Sequence, residues 1–118
     1  ILDIYGGKEA YEEMEEEHEK DGFDYIWDQD AVCGVSDEIL CHISFHFPDG
    51  SKMKRAFTYD WRRYGMRESQ EILLDAGFSK VEVYWEGVDD EGDGDGEFTL
   101  TTRAESTDAW IAYLVAIP

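Results

Sequence analysis

The clearest pattern in the chain is a strict alternation of apolar and polar positions between residues 39 and 60. Ile39, Cys41, Ile43, Phe45 and Phe47 fall on one face of an extended segment, and Leu40, His42, Ser44 and His46 fall on the other. Pro48-Asp49-Gly50 supplies tight-turn chemistry. Met53, Arg55, Phe57 and Tyr59 then resume the alternation against Lys54, Ala56, Thr58 and Asp60, so the segment predicts a β-hairpin. The same period of two places Phe23, Tyr25 and Trp27 on a half-buried strand, and Val81, Val83 and Trp85 on another. Phe98 to Thr102 predicts a short strand. Trp110 to Ile117 is apolar on both faces, which predicts a strand central in a sheet. Ile1 to Tyr5 reads as a strand stopped by Gly6-Gly7.

Two segments carry a helical period instead. Between Lys8 and Lys20, Tyr11, Met14 and His18 recur at helical spacing among acids, predicting a short, mostly solvated helix that ends near Asp21-Gly22. Met66 to Ala76 predicts a second helix with Ser69, Ile72, Leu73 and Ala76 inward, Gly77 as its left-handed cap and Phe78 as the hydrophobic contact beyond. Gln29 to Asp37 and the acidic, glycine-rich stretch Gly87 to Gly96 read as loops. The expected fold is α+β: an antiparallel, hairpin-rich sheet with two helices, residues 1–118 forming a single domain.

Composition supports a packed core, with 42% hydrophobic and 14% aromatic residues in a chain of 118. Charge narrows the partners. The net charge of −19, from 29 acids against 10 bases, repels nucleic-acid phosphates and anionic lipid. No nucleic-acid or membrane partner is therefore expected, and the surface suits solubility in a salty cytoplasm. No run approaches the roughly 20 apolar residues of a membrane span, and no secretion signal is in view. Cys33 and Cys41 form neither a C-x-x-C nor a disulfide framework, and read as free thiols of a reducing compartment.

Several motifs are weaker than they look. Gly92-Asp93-Gly94-Asp95-Gly96 matches G-x-G-x-G, but a phosphate-cradling turn needs a helix N-terminus after it, and here a strand follows. Asp89, Glu91, Asp93 and Asp95 are closely spaced acids, yet the twelfth position of an EF-hand would be Leu100 or Thr102 rather than Glu. No metal site is expected. His42 and His46 share a strand face about 13 Å apart, too far to chelate one metal, although either could accept a proton if that face lines a cavity. No nucleophile motif is present.

Three stretches resemble class I S-adenosylmethionine-dependent methyltransferases. Ile1-Leu2-Asp3-Ile4-Tyr5-Gly6-Gly7 resembles the family's fifth strand. Phe57-Thr58-Tyr59-Asp60-Trp61-Arg62 followed by Glu71-Ile72-Leu73-Leu74-Asp75-Ala76-Gly77-Phe78 is similar to the approach to its last helix and the helix itself. Val81 to Gly87 and Ala109 to Ala116 are similar to its closing antiparallel strand pair. The resemblance implies a C-terminal portion of a class I methyltransferase α/β fold: residues 1–7 as the fifth strand, 8–65 as an inserted substrate lobe, and 66–118 as the last helix and closing strands. It implies methyl transfer from S-adenosylmethionine to a small-molecule substrate in the intact protein. The family's glycine-rich cofactor motif is missing, so no cofactor is expected to bind this portion, and the abrupt start at Ile1 reads as a strand under way with part of the protein removed.

If substrate contacts lie here, the candidates are Tyr5, Trp27, His42, His46, Tyr59, Trp61, Arg62 and Tyr64. The aromatics among them are equally suited to a core, and Arg62 to pairing with the abundant acids. Two other readings stay open. One is a stand-alone acidic interaction module that forms a homodimer through an exposed sheet edge. The other is a nucleic-acid mimic, to which the methyltransferase-like stretches add nothing.

Overall fold

A computed structural model describes residues 1–118. Its elements in chain order are β1 (Leu2–Gly6), a single 3₁₀ turn (Lys8–Ala10), β2 (Met14–Lys20), β3 (Phe23–Gln29), β4 (Glu38–His46), β5 (Lys52–Arg62), α1 (Met66–Asp75), β6 (Lys80–Val88), β7 (Gly94–Leu100) and β8 (Trp110–Ile117). They form two compact units. One comprises residues 1–10 and 64–118, the other residues 11–63. Each has its own four-stranded antiparallel sheet, ordered β1-β8-β6-β7 in the first and β2-β3-β4-β5 in the second. No helix is long and apolar enough to cross a membrane.

The second unit is a meander in sequence order, so every strand pairs with its chain neighbour. Register follows the alternation: Trp27 lies opposite Ile43, and Ile43 opposite Phe57. Period two then puts Phe23, Tyr25, Trp27, Ile39, Cys41, Ile43, Phe45, Phe57, Tyr59 and Trp61 on one face. Between β4 and β5 the register shifts at a bulge. Lys54, Arg55 and Ala56 stand opposite the single Ser44, whose hydroxyl accepts the Arg55 N–H at 2.9 Å. Arg55 takes φ 49°, the left-handed conformation that lets the extra residues fold out of the ladder. Two residues are added, so parity is kept and Met53 remains on the face of Phe57. The turn before it closes with Gly50 donating to the Phe47 carbonyl, while Asp49 Oδ1 accepts from the Ser51 N–H and hydroxyl. Those bonds hold the exposed Asp49 carboxyl below its ordinary range.

In the first unit β8 is central, between β1 and β6. Ala112 and Leu114 are fully buried, facing Trp85 and Val83 of β6. The other face of β8 is open, leaving Ile111 and Tyr113 more than a third exposed. The expected central place in the sheet is found, with one face left open. Helix α1 ends as a Schellman motif: Phe78 N–H reaches the Leu73 carbonyl, Gly77 N–H reaches that of Leu74, and Gly77 takes φ 108°. Of the residues expected to face inward, Ser69 is buried, whereas Ile72 is 48% exposed. β1 is tied to β8 by Gly6, over which the indole of Trp110 lies so closely that a Cβ there would come within 2.1 Å of the ring.

The α+β expectation is overturned. Fifty-three per cent of the residues lie in strands and a single α-helix remains, so this is not the two-helix methyltransferase fold the resemblance implies. The segment read as the first helix is the 3₁₀ turn followed by β2. The physical reason lies in β2 itself. It is an edge strand, six of whose seven residues are exposed, so neither face needs apolar residues and no period of two is written into it. The spacing of Tyr11, Met14 and His18 carried no helical meaning, and Asp21-Gly22 closes a tight β2–β3 connection, with Gly22 at φ 89°.

Two consequences are testable. Gly6→Ala should destabilise the protein by on the order of 1–3 kcal/mol, read as a lowered denaturation midpoint, because the Trp110 ring must shift. The β2–β3 pairing sets Glu15 opposite Asp28 and Glu19 opposite Asp24, like charges facing each other. Glu19→Lys should raise the melting temperature by roughly 2–4 °C at low salt, and the gain should shrink as added KCl screens the repulsion.

Candidate functional site

The aromatic face of the second unit is where three of the sequence-predicted residues, Trp27, Tyr59 and Trp61, meet. Its floor is set by buried side chains: Cys41 is fully buried, and Ile39 and Gln29 nearly so. Gln29 fixes one wall. Its Oε1 accepts the indole N–H of Trp27 at 3.0 Å, while its Nε2 donates to the Glu12 carbonyl at 2.7 Å. Trp27 is thereby held upright on β3, with Tyr59 and Trp61 beside it on β5. The ring centroids of Trp27 lie 6.0 Å from both Tyr59 and Trp61, and those of Tyr59 and Trp61 lie 4.6 Å apart. A second ring chain continues along the face, with Phe45 meeting Phe23, Tyr25 and Phe57 at 5.7, 6.3 and 6.3 Å. The face is not covered within this unit: Phe57 is 53% and Trp61 44% exposed.

Ionisable groups border the rings. Glu16 stands opposite Trp27, and His18 opposite Tyr25. His18 Nε2 lies 3.3 Å from Glu16 Oε2, and its ring is 5.4 Å from that of Tyr25. Burial chiefly, then the neighbouring Tyr59 and Glu16, pushes the Tyr25 hydroxyl above its ordinary range. Burial likewise raises the Cys41 thiol, partly opposed by the charge of Arg63.

The structure brings together only three of the eight candidates, Trp27, Tyr59 and Trp61. His42 and His46 lie on the opposite face of β4. His42 is buried, with Nδ1 3.0 Å from the Thr58 hydroxyl, and stands across from Asp28; His46 stands across from Asp24 and Lys52. Arg62 is on that same opposite face, across from Glu38. Tyr64 and Tyr5 belong to the first unit. Tyr5, opposite Ile111 on β1, lines a cleft of about 430 Å³ there.

Another cleft of that unit, about 590 Å³, is lined by Val81, Val83, Trp85 and Trp110, together with Lys80 and Arg103. Trp85 and Trp110 stack at 4.6 Å. The glycine string 92–96 leads into β7 rather than into a helix, and Gly65, the N-cap of α1, offers no side-chain cap. The acidic loop is occupied with itself, since Asp89 Oδ1 accepts the backbone N–H groups of Glu91 and Asp93. No group of three potential metal-ligating side chains occurs.

Sequence reasoning missed Tyr25, Phe45 and Glu16 as members of this surface. The first two were visible as strand-face residues, but only the three-dimensional register joins them to Trp27 and Tyr59. Glu16 was hidden by the helical reading of β2. Comparison with protein-family models, with curated proteins and with solved structures gave no match to the chain.

The two thiols provide a check on this packing. Cys33 is exposed, and hydrogen bonds from the side chain and backbone of Ser36 lower its thiol below the ordinary value of 9.0. One thiol per native chain should react with a soluble disulfide reagent, half-maximally at a pH below that value because the bonds stabilise the thiolate. Cys41 should react only after unfolding. Fast reaction of both in the native protein would contradict the buried floor of the aromatic face.

Proposed function

We propose that the chain is the C-terminal, substrate-lobe-containing part of an S-adenosylmethionine-dependent methyltransferase that acts on a small molecule in the cytoplasm. The supporting observation is the partition of the chain. Of the stretches that carry the resemblance, residues 1–7, 71–78, 81–87 and 109–116 fall in one compact unit, where the last two pair antiparallel, while residues 57–62 fall in the other. The stretch between, read as a substrate lobe, makes the other unit and presents an open aromatic surface of the kind that recognises small molecules. The proposal concerns activity and not the two-helix fold, and it assigns the cofactor to residues outside this chain. Within the chain the work is positioning and the exclusion of water.

A second reading is favoured by one specific observation. β1 pairs only with β8, so its other edge is free, and Leu2 on it is about half exposed. Such an edge suits self-association, making the chain an acidic interaction module that dimerises by strand addition.

The gene upstream of Ile1 and the full-length product separate the two. The methyltransferase reading expects an upstream strand, glycine-rich turn and helix, and calorimetric binding of S-adenosylmethionine by the full-length protein but not by residues 1–118. A full-length product that has no such turn and does not bind S-adenosylmethionine would sink it.

A further inference from the structure

Trp27, Tyr59 and Trp61 form the tightest group of rings on the open face of the second unit. Their planes are mutually tilted by 35°, 36° and 37°. Centroid separations of 6.0, 6.0 and 4.6 Å make a triangle small enough that one point above it lies within about 6 Å of all three. That is the range over which a cation is held by the electron-rich faces of aromatic rings. Trp61, nearly half exposed, keeps the triangle open to solvent. Glu16 stands directly across the β2–β3 ladder from Trp27, on the same face.

We propose that Trp27, Tyr59 and Trp61, with Glu16 at their border, bind a small organic cation carrying a methylated ammonium group. Three features select that class. The rings supply attraction for positive charge together with apolar surface, and a methylated ammonium presents a charge and methyl groups at once. A hydrated metal ion gains little there, since no cluster of three potential ligating side chains exists. The chain's net charge of −19 concentrates cations at its surface and repels carboxylates and phosphates.

Glu16 bears on the Tyr25 hydroxyl, and Tyr59 bears on it as well. At the Cys41 thiol, beneath the rings, the guanidinium of Arg63 is felt together with the opposing carboxylates of Asp28 and Asp30. The hydrogen bond from Trp27 to the buried Gln29 holds that ring in place before the ligand arrives, which lowers the ordering cost of binding. On the methyltransferase reading this ligand class is the methyl acceptor or its product, and that assignment of role rests on the reading; binding itself does not.

The test is a titration of residues 1–118 with choline, followed by proton–nitrogen NMR. The chain has four tryptophans, of which Trp27 and Trp61 lie in the second unit and Trp85 and Trp110 in the first. Saturable shifts of the Trp27 and Trp61 indole signals are expected, with those of Trp85 and Trp110 still. Dimethylbutanol, the uncharged alcohol in which carbon replaces the choline nitrogen, should bind about tenfold more weakly, and Trp61→Leu should weaken choline by a similar factor. Glu16→Gln should weaken it by about threefold. Equal binding of the alcohol would overturn the proposal, because the patch would then be simply apolar. So would the absence of saturable shifts, or loss of the patch into a concentration-dependent dimer seen by sedimentation. None of these outcomes touches the cofactor test above, and a failed cofactor test leaves the choline titration intact.

Discussion

A four-stranded sheet without a second layer has to bury its apolar side chains against one another, and the 11–63 unit is built around that constraint. The rings of β3, β4 and β5 lean together into a continuous layer, from Phe23 and Phe45 to Tyr59 and Trp61. Cys41, Ile39 and Gln29 on this face, and Ile26 and His42 on the other, are removed from water. The remaining ring surface is shared between neighbours and solvent. Stability and recognition thus draw on the same residues. The aromatic contacts that hold the sheet together leave ring faces outward, and the buried amide of Gln29 fixes the one indole whose orientation matters most.

The first unit solves the same problem differently. Its central strand β8 is flanked on both sides, and α1 supplies a second layer for part of one face. Small residues there, Ala112 and Ser69, allow close approach. The meeting of Gly6 and Trp110 locks β1 onto the sheet through shape rather than through polar bonds. Asp89, in the turn before β7, is consumed in capping its own loop, as Asp49 is in the second unit.

Legibility followed burial. The β4–β5 hairpin, the strands ending in Trp27 and Trp85, the central position of β8 and the Gly77 cap could be read because each has a residue whose chemistry is forced: an alternating apolar face, a turn dipeptide, a positive φ. β2 could not be read, since a solvated edge strand places no demand on its side chains, although the Asp21-Gly22 pair that joins it to β3 was a hairpin signal of the same kind as Pro48-Asp49-Gly50. The helix count failed at that one strand. The candidate site was half visible. Trp27, Tyr59 and Trp61 were singled out as residues of the right chemistry, but period two also sends His42, His46 and Arg62 to the far side of the same sheet. Knowing that requires the pairing register.

The bulge opposite Ser44 bears on how this sheet can change over time. Two surplus residues leave odd positions of β5 facing the way they faced before, so Phe57, Tyr59 and Trp61 stay in company with Met53. One surplus residue would have turned the ring row outward to the charged side and brought Thr58 and Asp60 in. Length variation in this strand is therefore tolerable only in even steps, and the site it carries is inherited or lost as a block.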